Sequence, residues 1–156
     1  MTKQRKNYII VSWILVAVCM GIIFSLSAQE ASDSEALSGS FIRMIFQLLG
    51  LEFQQGVIRT IAHCLEFMGL SFLMFNAIYA TWEKKITPLF AFAGTVLYAI
   101  TDEIHQIFVP DRAFQLSDIL VDSTGALIGV MASLIILKII LTIKERGNKN
   151  GSVKTI

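Results

Sequence analysis

The densest chemistry in this chain lies in Asp102-Glu103-Ile104-His105-Gln106-Ile107-Phe108-Val109-Pro110-Asp111-Arg112. Two carboxylates, an imidazole and an amide come first, then a proline, a third carboxylate and a guanidinium. Two further sets accompany it. Arg59, His63 and Glu66 stand at i, i+4 and i+7, and Asp118 and Asp122 stand four apart. Each set therefore falls on one face of a helix. A histidine beside a carboxylate can act as a general base whose tautomer the carboxylate fixes. His63 and His105 with Glu66, Asp102 or Asp118 could instead ligate zinc or a similar ion. That spacing is common by chance, and the sequence assigns neither a metal nor a cofactor. Arg59 and Arg112 could clamp a phosphate or carboxylate, because guanidinium donates two parallel hydrogen bonds. No serine stands in a recognisable nucleophile motif, and no glycine-rich loop is placed to cradle a phosphate. The excess of carboxylates implies that a bound group also brings a cation, hydroxyls or amide donors.

The elements that must position these groups are apolar. Of 156 residues, 54% are hydrophobic and only 16% charged, against about a quarter charged in an average soluble domain. The apolar residues come in runs near the ~20 that a helix needs to cross a bilayer. The pattern predicts an all-α membrane protein, a four-helix transmembrane bundle in a single domain over residues 1–156. The spans fall at about 8–26, 57–82, 86–107 and 116–143, with a polar tail over 144–156. The first span could be read as a signal peptide, but it exceeds the ~7–15 apolar residues usual there. Residues 41–51 are apolar but too short to span, which predicts a short interfacial helix in the first external loop. Pro88 opens the third span where a missing N–H costs nothing, and Pro110 stops it. Ser117 and Asp118 are candidate N-caps of the fourth. Gly125 and Gly129 would let that helix approach a neighbour closely. Cys19 and Cys64 both fall within spans and read as small apolar residues, not as a disulfide.

The charges orient the bundle. The net charge is +1, which predicts no nucleic-acid partner, but of 13 basic residues only Arg43, Arg59 and Arg112 lie on one side. The other ten flank the N-terminus, the turn after the second span and the C-terminal end. The positive-inside rule then places both termini in the cytoplasm of a multi-pass cell-membrane protein. Most acidic residues fall on the opposite, extracytoplasmic side, together with the candidate chemistry.

Depth brings the sets together. Arg59, His63 and Glu66 descend the outer ~13 Å of their helix at 1.5 Å per residue. Asp102, Glu103, His105 and Gln106 end the third span, and Asp118 and Asp122 open the fourth. Polar stripes on three helices at one depth must face one another and not the lipid. The expectation is an outward-facing pocket lined by Arg59, His63, Glu66, Asp102, Glu103, His105, Gln106, Arg112, Asp118 and Asp122. The alternative is interhelical glue, in which the arginines simply neutralise carboxylates. Polar contacts between membrane helices contribute only ~0.6 kcal/mol each on average, a small gain for burying so many groups.

Taken in order, Ser25-x-Ser27, Arg59-x-x-x-His63-x-x-Glu66-Phe67, Asp102-Glu103-x-His105-Gln106-x-Phe108-x-Pro110-x-Arg112 and Asp118-x-x-x-Asp122-x-x-Gly125-x-x-x-Gly129 resemble the VanZ-like family over nearly the whole chain. Departures are small: Asp111 where glycine is frequent, Thr60 where lysine is, and Cys64 where an aromatic is usual. The resemblance implies a small bacterial membrane protein of the cell envelope, whose namesake is linked to teicoplanin resistance. It implies no mechanism. Three functions follow as expectations. The first is a pocket binding a lipid-linked cell-wall precursor or lipoglycopeptide. The second is an intramembrane hydrolase or transferase acting on a lipid phosphate or glycerolipid, with a catalytic His–carboxylate pair drawn from His63, Glu66, Asp102 and His105. The third is a structural subunit of a cell-wall complex. The orientation is directly testable: a reporter active only outside the cytoplasm, fused after Arg112, is expected to be active. Activity only when fused to either terminus would invert the topology.

Overall fold

The computed structural model describes residues 2–28, 44, 48, 55–82, 85–110 and 112–153. Among them are four helices and no strand: α1 (Lys3–Ser27), α2 (Gln55–Trp82), α3 (Thr87–Gln106) and α4 (Leu116–Val153). Of the interfacial helix expected over 41–51, only Met44 and Leu48 are described; the rest lies outside the described residues. Three helices are long and apolar enough to cross a membrane: α1, α2 over Arg59–Trp82 and α4 over Leu116–Gly147. The 20 residues of α3 have a span's length, but Asp102 and Glu103 in its last turns make it less apolar than the others.

The helix ends have local causes. The Thr2 hydroxyl accepts from the Arg5 N–H (3.3 Å) and caps α1. Pro88 lies in the first turn of α3, as its fixed φ favours. At its C-terminal end α3 tightens before Pro110 is reached. Ile107, Phe108 and Val109 donate to the carbonyls of Ile104, His105 and Gln106, three residues back. The helix α4 opens at Leu116, earlier than a cap at Ser117 or Asp118 would allow. Those two residues lie in its first turn, and Gln115 accepts from the N–H groups of Asp118 (3.1 Å) and Ile119 (3.5 Å). A tertiary bond fixes this start: the Gln115 N–H donates to Glu103 Oε2 (2.9 Å). Asp118 gains instead from the positive end of the helix dipole.

The helix α2 is central and packs on the other three; α3 also packs on α4 and touches α1. Fully buried Phe67 and Leu70 of α2 meet Val16 and Ile23 of α1, Ala91 and Ala99 of α3 and Val130 of α4 in one apolar core. The closest approach is between α2 and α4. A Cβ on Gly125 would overlap the Cys64 carbonyl oxygen, and one on Gly129 the Met68 carbonyl oxygen. Ser71 donates to the Ala126 carbonyl across the same seam (2.6 Å). The glycines thus act as the sequence predicts, letting backbone meet backbone.

Hydrogen bonds set the relative directions. The last residue of α1, Ser27, bonds Asp102 near the end of α3, while Arg59 and Asp118 near the starts of α2 and α4 meet each other. At the opposite end, Trp13 Nε1 donates to Thr81 Oγ1 (3.2 Å). The ends of α1 and α3 and the starts of α2 and α4 therefore share one end of the bundle. The outside is apolar: Ile14, Val18 and Ile22 of α1 and Leu127, Ile135 and Ile139 of α4 are all exposed. In water such a coat would be a liability; against lipid it is the required surface, and the chain is a membrane protein.

Gly125→Leu is expected to lower stability in detergent by at least ~1–3 kcal/mol through overpacking, read as a fall in thermal midpoint. Gly69, with open space around its Cβ position, should accept alanine with little change. Equal tolerance at both positions would show that the α2–α4 seam is not close-packed.

Candidate functional site

Residues Asp102 and Glu103 are neighbours in sequence, so on a helix they face ~100° apart. Each turns to a different partner. Asp102 Oδ2 accepts from Ser27 Oγ (2.7 Å) and from Gln106 Nε2 (3.3 Å), and Gln106 Nε2 also donates to Ser27 Oγ (2.9 Å). All three residues are buried. Glu103, 0% exposed, faces α4 and holds the Gln115 N–H. His105 lies under Phe24 of α1, with ring centroids 4.2 Å apart.

The facing stripes of α2 and α4 form a two-rung ladder. Arg59 Nη2 lies 3.4 Å from Asp118 Oδ2, and one turn deeper His63 Nδ1 lies 3.6 Å from Asp122 Oδ1. The rungs match because both stripes repeat every four residues. They differ in exposure. Arg59 and Asp118 are about a fifth to a quarter exposed, whereas the Asp122 side chain is fully shut away. Neither Asp122 oxygen has a hydrogen-bond partner among the described residues. Glu66, a further turn down α2, lies within electrostatic reach of His63, Asp102, Asp122 and Arg112.

A cavity of about 190 Å³ opens over the ladder, lined by Arg59, Thr60, His63, Gln115, Asp118 and Val121. Of the ten sequence candidates, Arg59, His63 and Asp118 line it. Asp102, Glu103, Gln106 and Asp122 form a buried polar layer instead, and Glu66, His105 and Arg112 are half-buried. The cavity lies between α2 and the start of α4, and no residue of α3 lines it. Three participants are not among the candidate site residues, although Ser27 belongs to the Ser25-x-Ser27 motif. Ser27 and Thr60 are small hydroxyl residues in helices, and Gln115 acts through a backbone N–H. Among the described residues no group of three His, Cys, Asp or Glu side chains is arranged to hold a metal ion.

The VanZ/LLP1 family model matches residues 12–138. The chain belongs to the VanZ-like family. The match runs from Ser12 in α1 to Lys138 in α4 and includes every candidate residue. Comparison with curated proteins and with solved structures gives no match. The fold that carries this VanZ-like motif set is thus four helices whose ends converge on one polar layer.

Ser27 and Asp102 should behave as one unit. Ser27→Ala is expected to cost ~1–3 kcal/mol by leaving a buried oxygen less satisfied. In a cycle with Asp102→Ala the two losses should fall short of additivity by at least ~0.5 kcal/mol. Detergent unfolding of the four proteins measures this, and strict additivity would break the proposed sharing.

Proposed function

We propose that this VanZ-like membrane protein turns its polar cavity to the extracytoplasmic side of the cell membrane and binds there the phosphate-bearing head group of a membrane lipid, of the kind that carries cell-wall precursors. The observation that carries this reading is Arg59: a guanidinium lining a small cavity at the end of an apolar bundle. Its fork suits a phosphate bidentately, and Asp118 occupies only one part of that donor set. The distribution of basic residues supports the outward orientation, with α3 as the fourth span and both termini cytoplasmic.

The size of the cavity narrows the ligand. At about 190 Å³ it falls below the ~300–1,000 Å³ of sites for drug-sized molecules. It suits a terminal phosphate better than the whole of a lipoglycopeptide. The glycopeptide resistance implied by the family's namesake would then arise from handling of the lipid-linked precursor and not from capture of the antibiotic.

Retention of a radiolabelled polyprenyl phosphate by the purified protein in nanodiscs tests the reading. Arg59→Ala is expected to weaken retention about ten-fold or more, the loss of a charged hydrogen bond of ~1.5–3 kcal/mol. Asp118→Asn should strengthen it several-fold by removing the competing anion. Equal retention of the phosphate and of the phosphate-free alcohol would overturn the proposal.

A further inference from the structure

We propose that the same cavity is catalytic and hydrolyses the terminal phosphoester of its lipid, with His63 as the acid–base group and Asp122 as the residue that positions it. This rests on the phosphate-binding reading above and goes a step beyond it. The geometry that points to it is the contrast between the buried carboxylates. Asp102 has one oxygen held by two side-chain donors and Glu103 one held by the Gln115 N–H, the second oxygen of each being unpartnered among the described residues. Asp122 is 1% exposed and has no hydrogen-bond partner on either oxygen among the described residues; its neighbour is His63 Nδ1 at 3.6 Å. A carboxylate kept only for glue would be satisfied, because an unsatisfied buried one is costly. A binding pocket needs Arg59 and has no use for a second, deeper carboxylate that would repel an anion.

An imidazole backed by a carboxylate is the arrangement that general base catalysis requires, and it tightens further when substrate is bound. With Nδ1 turned to the buried Asp122, Nε2 is the nitrogen that the ring can offer to the cavity it lines. Arg59 stands one turn away on the same face of α2, so a phosphate on its guanidinium lies beside that nitrogen.

The step balances with water as the co-reactant. A water oxygen attacks phosphorus while His63 Nε2 takes its proton. The bond between phosphorus and the ester oxygen breaks, and its electron pair stays on that oxygen. The imidazolium then returns the proton to the departing oxygen. A lipid monophosphate and water give a lipid alcohol and inorganic phosphate; a lipid diphosphate gives a lipid monophosphate and inorganic phosphate. Arg59 holds the non-bridging oxygens, where charge accumulates in the transition state. Asp122 keeps the proton on Nδ1 and steadies the imidazolium, as a carboxylate behind a catalytic histidine does.

The test uses the full chain in nanodiscs with polyprenyl monophosphate, polyprenyl diphosphate or phosphatidic acid in separate arms, run in ¹⁸O-labelled water. Released phosphate and retained lipid are both quantified. The expected result is release from at least one arm, with one ¹⁸O in the phosphate. His63→Gln should lower release about 100-fold or more, a far larger effect than on lipid retention. Asp122→Asn should lower kcat at least ten-fold with KM within two-fold, a split that a merely structural residue would not give. If His63→Gln fails to fold, the nearly isosteric Asp122→Asn decides the question. Retention without release in any arm overturns the catalytic proposal and leaves binding standing, whereas neither retention nor release overturns both. Label in the lipid alcohol, or full release by His63→Gln, overturns the mechanism.

Discussion

A carboxylate shut away from water must be answered by some donor or cation, and three such carboxylates at one end of this bundle determine where the helix ends go. Asp102 takes the last residue of α1. Glu103, one position on, takes the backbone N–H that begins α4. Asp122 on α4 faces His63 of α2. The three helices around α3 are therefore fastened at one level by three acidic side chains, two from α3 itself. Among the described residues the other contacts between helices include apolar side chains, small residues and single polar bonds such as Tyr98 to the Met20 carbonyl (2.6 Å) and Arg5 to the Ala80 carbonyl (3.4 Å). Association driven by packing alone tolerates sliding and rotation; an acid that must find its donor does not.

Much of this was legible in the sequence. The four-residue steps in Arg59/His63 and Asp118/Asp122 put each set on one helix face, and Gly125 with Gly129 mark a helix that can approach a neighbour closely; that the two faces meet rung by rung, and that the neighbour is α2, comes from the structure. Three of the apolar runs recur as helices long and apolar enough to cross a membrane, because runs of that length have few other uses. What could not be read has physical causes. Ser12, Ser25 and Ser133 donate to the carbonyl four residues back on their own helices. Ser27 reaches another helix instead; the Ser25-x-Ser27 motif singles it out, but its spacing does not say which of the two serines leaves its own helix or which acid it meets. The earlier start of α4 comes from a bond between a backbone amide and a carboxylate twelve residues away, which no local capping rule contains. The division of the ten candidates into three cavity-lining residues and a supporting layer depends on helix rotation. Spacing gives the relative rotation of residues on one helix, not between helices.

The two rungs of the ladder serve different ends. The outer pair is partly solvated, where an ion pair contributes only ~0–1 kcal/mol, so Arg59 can exchange one partner for another at little cost. In the inner pair only the carboxylate is shut away: His63 reaches the cavity, and Asp122 behind it does not. A shallow exchangeable cation above a deep fixed carboxylate is an economical division of labour. On the proposed reading it would let one seam both admit an anion and hold the histidine beside it. The VanZ-like motif set encodes that seam in two stretches, residues 59–66 and 118–129, and its frame in residues 102–106.

The contact between Gly125 and the backbone at Cys64 gives that seam a floor. From Asp118 to Gly125 is seven residues, about 10 Å of helix, and below it α2 and α4 leave no gap for a chain to follow. A lipid whose phosphate rests on Arg59 must therefore keep its tail outside the protein, against the exposed faces of Leu116 and Leu120. The bundle would grip the head while the bilayer keeps the rest. Under the proposed function such a protein would be indifferent to how long, branched or unsaturated its lipid is, and one small cavity would serve a whole population of membrane phosphates that share nothing but their terminal group.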